Sequence, residues 1–213
     1  MQKEVIQNAK TIELAVELGA GELGVAVEKV TYEVLQEPRK GILGIGASDA
    51  IVKVVYDPTP ADKAEEFIKT LLANMGIEAA VSVETDEEGC TVKVGGEGLG
   101  LLIGRHGDVL DSLQYLATLA ANKGLKDYYR VSVDIEGYRE KRRASLVQLA
   151  QRMAEKALKY DRSFALEPMS AYERRIIHSE VQNIKGVSTY SVGTDAERKV
   201  IVCPEHKMKK TGK

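Results

Sequence analysis

Two short clusters in this 213-residue chain have the residue types and spacing to hold a phosphate. The first is Leu102-Ile103-Gly104-Arg105-His106-Gly107-Asp108, in which two glycines bracket an arginine and a histidine where one helical pattern hands over to another. Without a Cβ at Gly104 and Gly107 the chain can turn sharply, and a sugar-phosphate strand can approach the main chain closely. The amides opening the next helix would face that anion with the positive end of the helix dipole behind them. The second cluster is Arg174 with His178, four residues apart and so neighbours on one helix surface. An arginine can grip a phosphate through its planar fork and a histidine through a ring N–H. The plain structural alternatives are a tight helix-helix turn with two incidental charges, and a histidine satisfied by a backbone carbonyl.

Charge separates the two halves of the chain. The net formal charge is -2, yet residues 1 to 100 carry 9 basic and 18 acidic side chains, whereas residues 101 to 213 carry 21 and 14. The basic half begins at the glycine loop, which points to a polyanion as partner of the C-terminal part. A hydrophobic fraction of 44% with 29% charged residues is that of a globular protein. No apolar run approaches the ~20 residues of a membrane span, and the N-terminus lacks a signal-peptide core, so a cytoplasmic location is expected. Cys90 and Cys203 are too few and too isolated for a disulfide framework or a zinc site, and read as free thiols. No metal or cofactor is called for.

The elements that must position these clusters follow from periodicity. A short strand at Val5 and Ile6 precedes a helix capped by Thr11, with Ile12, Leu14, Ala15 and Leu18 on its apolar face, ending before Gly19 and Gly21. Strands around Val30 to Val34 and Ala50 to Val54 flank the run Pro38 to Gly46. That run lacks the Lys-Ser/Thr of a phosphate-binding Walker loop, and Asp49 occupies the last position of a GxGxxG. Nucleotide hydrolysis and dinucleotide binding are therefore rejected, and a partner-docking loop or a plain turn remains. Asp57-Pro58-Thr59-Pro60 reads as a linker. Beyond it come a helix from Asp62 to Gly76, strands at Ile77 to Glu84 and Cys90 to Val94, a short apolar turn, the glycine loop, a helix to Gly124, and a strand at Val131 to Ile135. The asparates Asp108 and Asp111 in the helix after the loop would repel a phosphate there.

A long basic helix is expected from Tyr138 to about Tyr160, with Arg142 and Arg143 among four cations in its first turns and Leu146, Leu149, Ala150, Met153 and Ala157 on its core face. Ser170 and Glu173 form a capping box that starts a further helix, in which Tyr172, Ile176, Ile177, Val181 and Ile184 are expected to be buried. A hairpin at Val187 to Val192 and Arg198 to Val202 follows, then a basic tail expected to be loose.

With these residues identified, the chain resembles the bacterial Jag family, also called KhpB. Lys40-Gly41-Ile42-Leu43-Gly44-Ile45-Gly46 resembles the signature of the family's N-terminal domain. Leu102 to Gly107, continuing through Leu110-Asp111-Ser112-Leu113-Gln114-Tyr115-Leu116, resembles its KH loop and helix, and the order α-β-β-α-α-β is that of a type II KH domain. Tyr172-Glu173-Arg174-Arg175-Ile176-Ile177-His178 resembles its R-three-H domain. The resemblance implies single-stranded RNA as ligand, a small KH-only protein as partner, contact with a membrane insertase, and a role in cell elongation and envelope regulation.

The expected architecture is thus α+β in three small domains: a β-α-β-β Jag N-terminal domain at residues 1–57, a type II KH domain at 61–136, an R-three-H domain at 137–205, and a basic tail at 206–213. The expected function is a non-enzymatic RNA-binding regulator. Its nucleic-acid contacts are Gly104, Arg105, His106, Gly107, Arg142, Arg143, Arg174 and His178, and the N-terminal loop Lys40, Gly41, Ile42, Leu43 and Gly44 is a protein-docking site. A protein adaptor at a membrane insertase, with nucleic acid secondary, is the rival reading, and a homo-oligomer stays open. A nuclease using His178 as base finds no convergent carboxylate pair and no nucleophile beside a base.

Overall fold

The computed structural model describes residues 2–39 and 48–208. The expected docking loop Lys40 to Gly44, and the end of the tail beyond Met208, lie outside the described residues. The chain divides into two compact units, Met1–Glu66 and Phe67–Lys213.

The first unit has the β-α-β-β order: β1 (Lys3–Ala9), α1 (Ile12–Leu23), β2 (Thr31–Gln36) and β3 (Ala50–Tyr56). The strands form an antiparallel sheet in the order β1-β3-β2. Strict alternation along β3 buries Ala50, Val52, Val54 and Tyr56 on one face, and α1 packs Ala15 and Val16 into the same core. Thr11 caps α1 as expected, its hydroxyl accepting the Leu14 N–H at 3.2 Å. The helix does not stop before Gly19, however. It runs to Leu23 and ends on Gly24, whose φ of 71° makes the left-handed cap. Gly19 is there for proximity rather than termination, since a Cβ would lie 2.5 Å from Val54 Cγ2. This close approach also turns the helix face: Ala15, Val16, Gly19 and Ala20 are buried, whereas Leu14 and Leu18 are exposed.

Helix α2 (Pro60–Asn74) starts two residues earlier than expected. Proline has no N–H to lose in a first turn, and Thr59 and Asp62 cap each other: the Thr59 hydroxyl accepts the Asp62 N–H at 3.2 Å and Asp62 Oδ2 accepts the Thr59 N–H at 3.0 Å.

After α2 come β4 (Ala80–Thr85), β5 (Gly89–Gly95), α3 (Gly100–Ile103), α4 (Asp108–Asn122) and β6 (Arg130–Ile135). The α-β-β-α-α-β order is therefore present. The sheet order is β4-β5-β6, with β4 antiparallel and β6 parallel to the central β5. A parallel pair needs a long crossover, and α3 with α4 supplies it. Helix α4 buries Leu110, Leu113, Ala117 and Ala121.

Only Glu136 and Gly137 separate β6 from α5 (Tyr138–Tyr160), and both adopt positive φ, 54° and 64°. The joint is fastened on both sides. The Glu136 N–H donates to the Val94 carbonyl, Glu136 Oε1 accepts the Gly96 N–H, and Asp134 Oδ2 accepts the Gly137 N–H.

A third sheet follows, built from β7 (Phe164–Pro168), β8 (Val187–Val192) and β9 (Lys199–Pro204) in the order β7-β9-β8, with α6 (Ala171–Gln182) between β7 and β8. Leu146, Ala150, Ala154 and Ala157 of α5 share a core with Ile177 and Val181 of α6 and Val200 and Val202 of β9. Strand β7 is unanticipated: it is short, ends in a proline, and lies at the sheet edge, where a proline is tolerated. The capping box at Ser170 and Glu173 is present. Tyr172, expected in the core, is 66% exposed, and its neighbour Glu173 is buried in its place. The tail is fastened as far as it is described, with His206 and Lys207 both on Asp161.

Candidate nucleic-acid interface

The glycine loop is shaped by the protein's own packing. Gly104 has φ 74° and ψ -168°, a conformation open essentially to glycine, and a Cβ there would lie 2.3 Å from Val109 Cγ2. Gly107, at φ 91°, would place a Cβ 3.0 Å from Tyr138 Cε1 at the start of α5. Asp108 turns its carboxylate back onto its own helix, Oδ1 accepting the Val109 N–H at 2.8 Å. Asp111 is matched by Arg139, whose Nη2 lies 2.8 Å from Oδ1. The two acids expected to repel a phosphate are thus each engaged locally.

The cations of the loop point to different places. Arg105 is exposed, with a long 4.0 Å approach to the equally exposed Glu167. His106 turns inward at φ 59°, and its Nδ1 lies 3.2 Å from Oε2 of the buried Glu173. The other carboxylate oxygen, Oε1, accepts from Arg142 Nε at 2.7 Å, while Oε2 also receives the Ser170 N–H at 3.3 Å. Glu173 therefore joins loop, α5 and the cap of α6. Of the four basic side chains expected to make contact here, Arg105 and Arg143 face solvent, and His106 and Arg142 lie against the carboxylate.

Arg174 and His178 come together as the spacing predicts, with two partners that sequence reasoning missed. Ser191 Oγ on β8 lies 3.2 Å from Arg174 Nη1 and 2.9 Å from His178 Nε2, and Thr189 Oγ1 lies 2.7 Å from His178 Nδ1. Both ring nitrogens are thus occupied by hydroxyls. Burial, then the positive charges of Arg174 and Arg198, holds the imidazole below its ordinary pKa of 6.5, which favours the neutral ring. Arg174 Nε is buried without a hydrogen-bond partner. The signal for Thr189 and Ser191 was in the chain: hydroxyls stand two residues apart on the strand face that begins with buried Val187.

These parts meet in one groove. Arg105, His106 and Asp108 of the loop, with Ser170, Arg174 and Asp195 opposite, line an open cavity of about 490 Å³. The loop arginine and the helix arginine, 69 positions apart in sequence, thus share its wall. Arg174 and His178 share the Ser191 hydroxyl as hydrogen-bond partner.

Comparison with known proteins matches the three sheets to three domains. A family model for the Jag N-terminus matches residues 8–56, one for the KH domain of KhpA/KhpB matches residues 62–135, and one for the R-three-H domain matches residues 144–204. A Clostridium symbiosum protein named RNA-binding protein KhpB is 42% identical over 200 residues, covering 93% of this chain and 90% of that protein. Its namesake in Bacillus subtilis is 35% identical over 203 residues, covering 94% and 98%. The namesake in Streptococcus pneumoniae strain R6 is 32% identical over 146 residues, covering 68% of this chain and 44% of that longer protein. Similarity that runs nearly end to end, through three domains in one order on three sheets, means that the chain belongs to the KhpB/Jag family.

Proposed function

We propose that the protein binds single-stranded RNA, without catalysis, along the groove that Arg105 and Arg174 share. That shared wall is the observation that carries the reading. The Gly104 to Gly107 loop and Arg105 take one stretch of sugar-phosphate backbone, in the manner of a KH loop clamping about four nucleotides. Arg174 takes a phosphate farther along, oriented by Ser191 and, through Ser191, by His178. His106 and Arg142 act through Glu173, fixing the loop where the strand meets it. Arg143 adds an exposed cation at the start of α5.

Two modest sites on one frame raise affinity by effective concentration when a strand reaches both. Phosphate contacts carry no sequence information and base stacking is sequence-tolerant, so sequence selectivity is low. The relatives' name, RNA-binding protein, supports RNA as the polyanion. No helix among the described residues is long and apolar enough to cross a membrane. A cytoplasmic regulator of cell elongation and the envelope, paired with a small KH-only protein and touching a membrane insertase, is the biological setting that the family resemblance adds to this proposal.

The test is fluorescence anisotropy with a short mixed-sequence RNA across a salt series, for the wild type, Arg105→Ala and Arg174→Ala. Single-strand binding gives a log-log salt slope of about -0.7 per neutralised phosphate, and each variant should lose about one such increment. Wild-type slopes in both variants would remove the shared groove from the reading.

A further inference from the structure

A second cavity opens on the other side of the His106–Glu173 contact. It measures about 350 Å³ and is lined by His106, Gly107, Arg139, Arg143, Tyr172 and Ile176 among others. A third, of about 330 Å³, continues along α5 and α6 past Arg143, Tyr172, Arg175 and Ile176. Arg143, Tyr172 and Ile176 border both, so the two cavities adjoin at these side chains, and the first of them reaches Gly107 of the glycine loop.

The chemistry of this cleft is that of a nucleotide seat. Tyr172 is 66% exposed, one position before Glu173, which opens the buried Glu173, Ile177 and Val181 face of α6. Arg143 and Arg175 stand on either helix beside it, and neither has an ion-pair partner among the described residues. The acids along the cleft are already engaged: Glu173 by Arg142 and His106, Asp111 by Arg139, and Glu180 by a hydrogen bond from Gln151. Half-buried Ile176 gives the floor an apolar patch. An exposed tyrosine one helical turn from a half-buried isoleucine, with unpaired guanidiniums beside it, accepts a base by stacking and the adjoining phosphates by charge.

We propose that Tyr172, Arg143 and Arg175 form a base-stacking seat for single-stranded RNA, a binding site additional to the Arg105–Arg174 groove. It rests on the RNA reading above, and commits to the strand that the loop holds, because Arg143 and Tyr172 line the same cavity as Gly107. The seat is sequence-tolerant, since every base has a face to stack.

The experiment measures affinity for an RNA of about 12 nucleotides, within the span of single-strand sites, and for the same chain made abasic. The proteins are the wild type, Tyr172→Ala, Tyr172→Phe, and Arg143→Ala with Arg175→Ala, each checked by thermal melting. Tyr172→Ala should bind RNA about tenfold more weakly, the scale of one base-aromatic stack, and bind the abasic chain as the wild type does. Tyr172→Phe should keep wild-type affinity, and the double arginine variant should lose affinity for both chains. Equal RNA binding by Tyr172→Ala and wild type overturns the seat and leaves the groove standing. Absence of RNA binding by the wild type overturns both. An acidic peptide that binds the wild type and not the double arginine variant, whose RNA affinity is intact, gives the cleft to a protein partner and overturns the seat as well.

Discussion

His106 Nδ1 and Glu173 Oε2 lie 3.2 Å apart, so a residue inside the glycine loop is held by a buried carboxylate at the start of α6. The same carboxylate takes Arg142 and the Ser170 N–H. Glu173→Ala should lower stability by about 3 kcal/mol, because it strands a half-buried guanidinium and opens the capping box. Glu173→Gln, which keeps an acceptor in place, should lose less. Urea denaturation reads both, and an alanine variant as stable as the wild type would deny Glu173 this role.

The neutral His178 imidazole makes stability depend on pH. Burial and the charges of Arg174 and Arg198 hold its folded pKa below 6.5. Over the interval between the folded and unfolded values the unfolded chain binds the extra proton, so stability is full above about pH 6.5 and falls as the pH drops below it. His178→Gln should flatten that part of the pH profile relative to the wild type, measured by chemical denaturation at pH 7.5 and 5.5.

Three glycine-to-alanine changes should differ in sign. Gly21 lies in a helix with nothing within 4 Å of a new Cβ, so Gly21→Ala should stabilise by roughly 0.4–1 kcal/mol. Gly19→Ala drives a methyl into Val54, and Gly104→Ala meets Val109 at a positive φ, so each should destabilise by about 1 kcal/mol or more. Thermal melting ranks the three, and a stabilised Gly104→Ala would contradict the loop geometry.

Arg105→Ala and Arg142→Ala should separate binding from folding. The exposed Arg105 should shift the salt slope of RNA binding by about 0.7 with an unchanged melting temperature. Arg142, whose Nε lies 2.7 Å from buried Glu173, should instead lower the melting temperature.

The fold was legible where period and punctuation agreed. Alternation marked β3 and β6, the Ser170–Glu173 box marked α6, and the order around the glycine loop marked the mixed sheet. Gly19 misled because a glycine required for helix-sheet proximity has the same letter as one that ends a helix. Tyr172 and Glu173 exchanged their expected places because helical periodicity ranks residues by polarity and has no means of counting partners. A carboxylate with an arginine, a histidine and an amide around it can be buried, and its tyrosine neighbour is then rotated outward. The pairing of Arg105 with Arg174 is a tertiary relationship and had no local signal. Ser191, which hydrogen-bonds Arg174, had a faint one in the hydroxyl pattern of β8.

The two-residue joint at Glu136 and Gly137 makes this unit a ruler. Three hydrogen bonds fasten a connection that short, so no free linker lies between the sheet beside the glycine loop and α5. A strand long enough to reach both the loop and Arg174 meets them already in place and forfeits no joint freedom. One that stops short forfeits the whole second contact. Affinity should therefore climb with RNA length as a step, at the length that first spans both contacts.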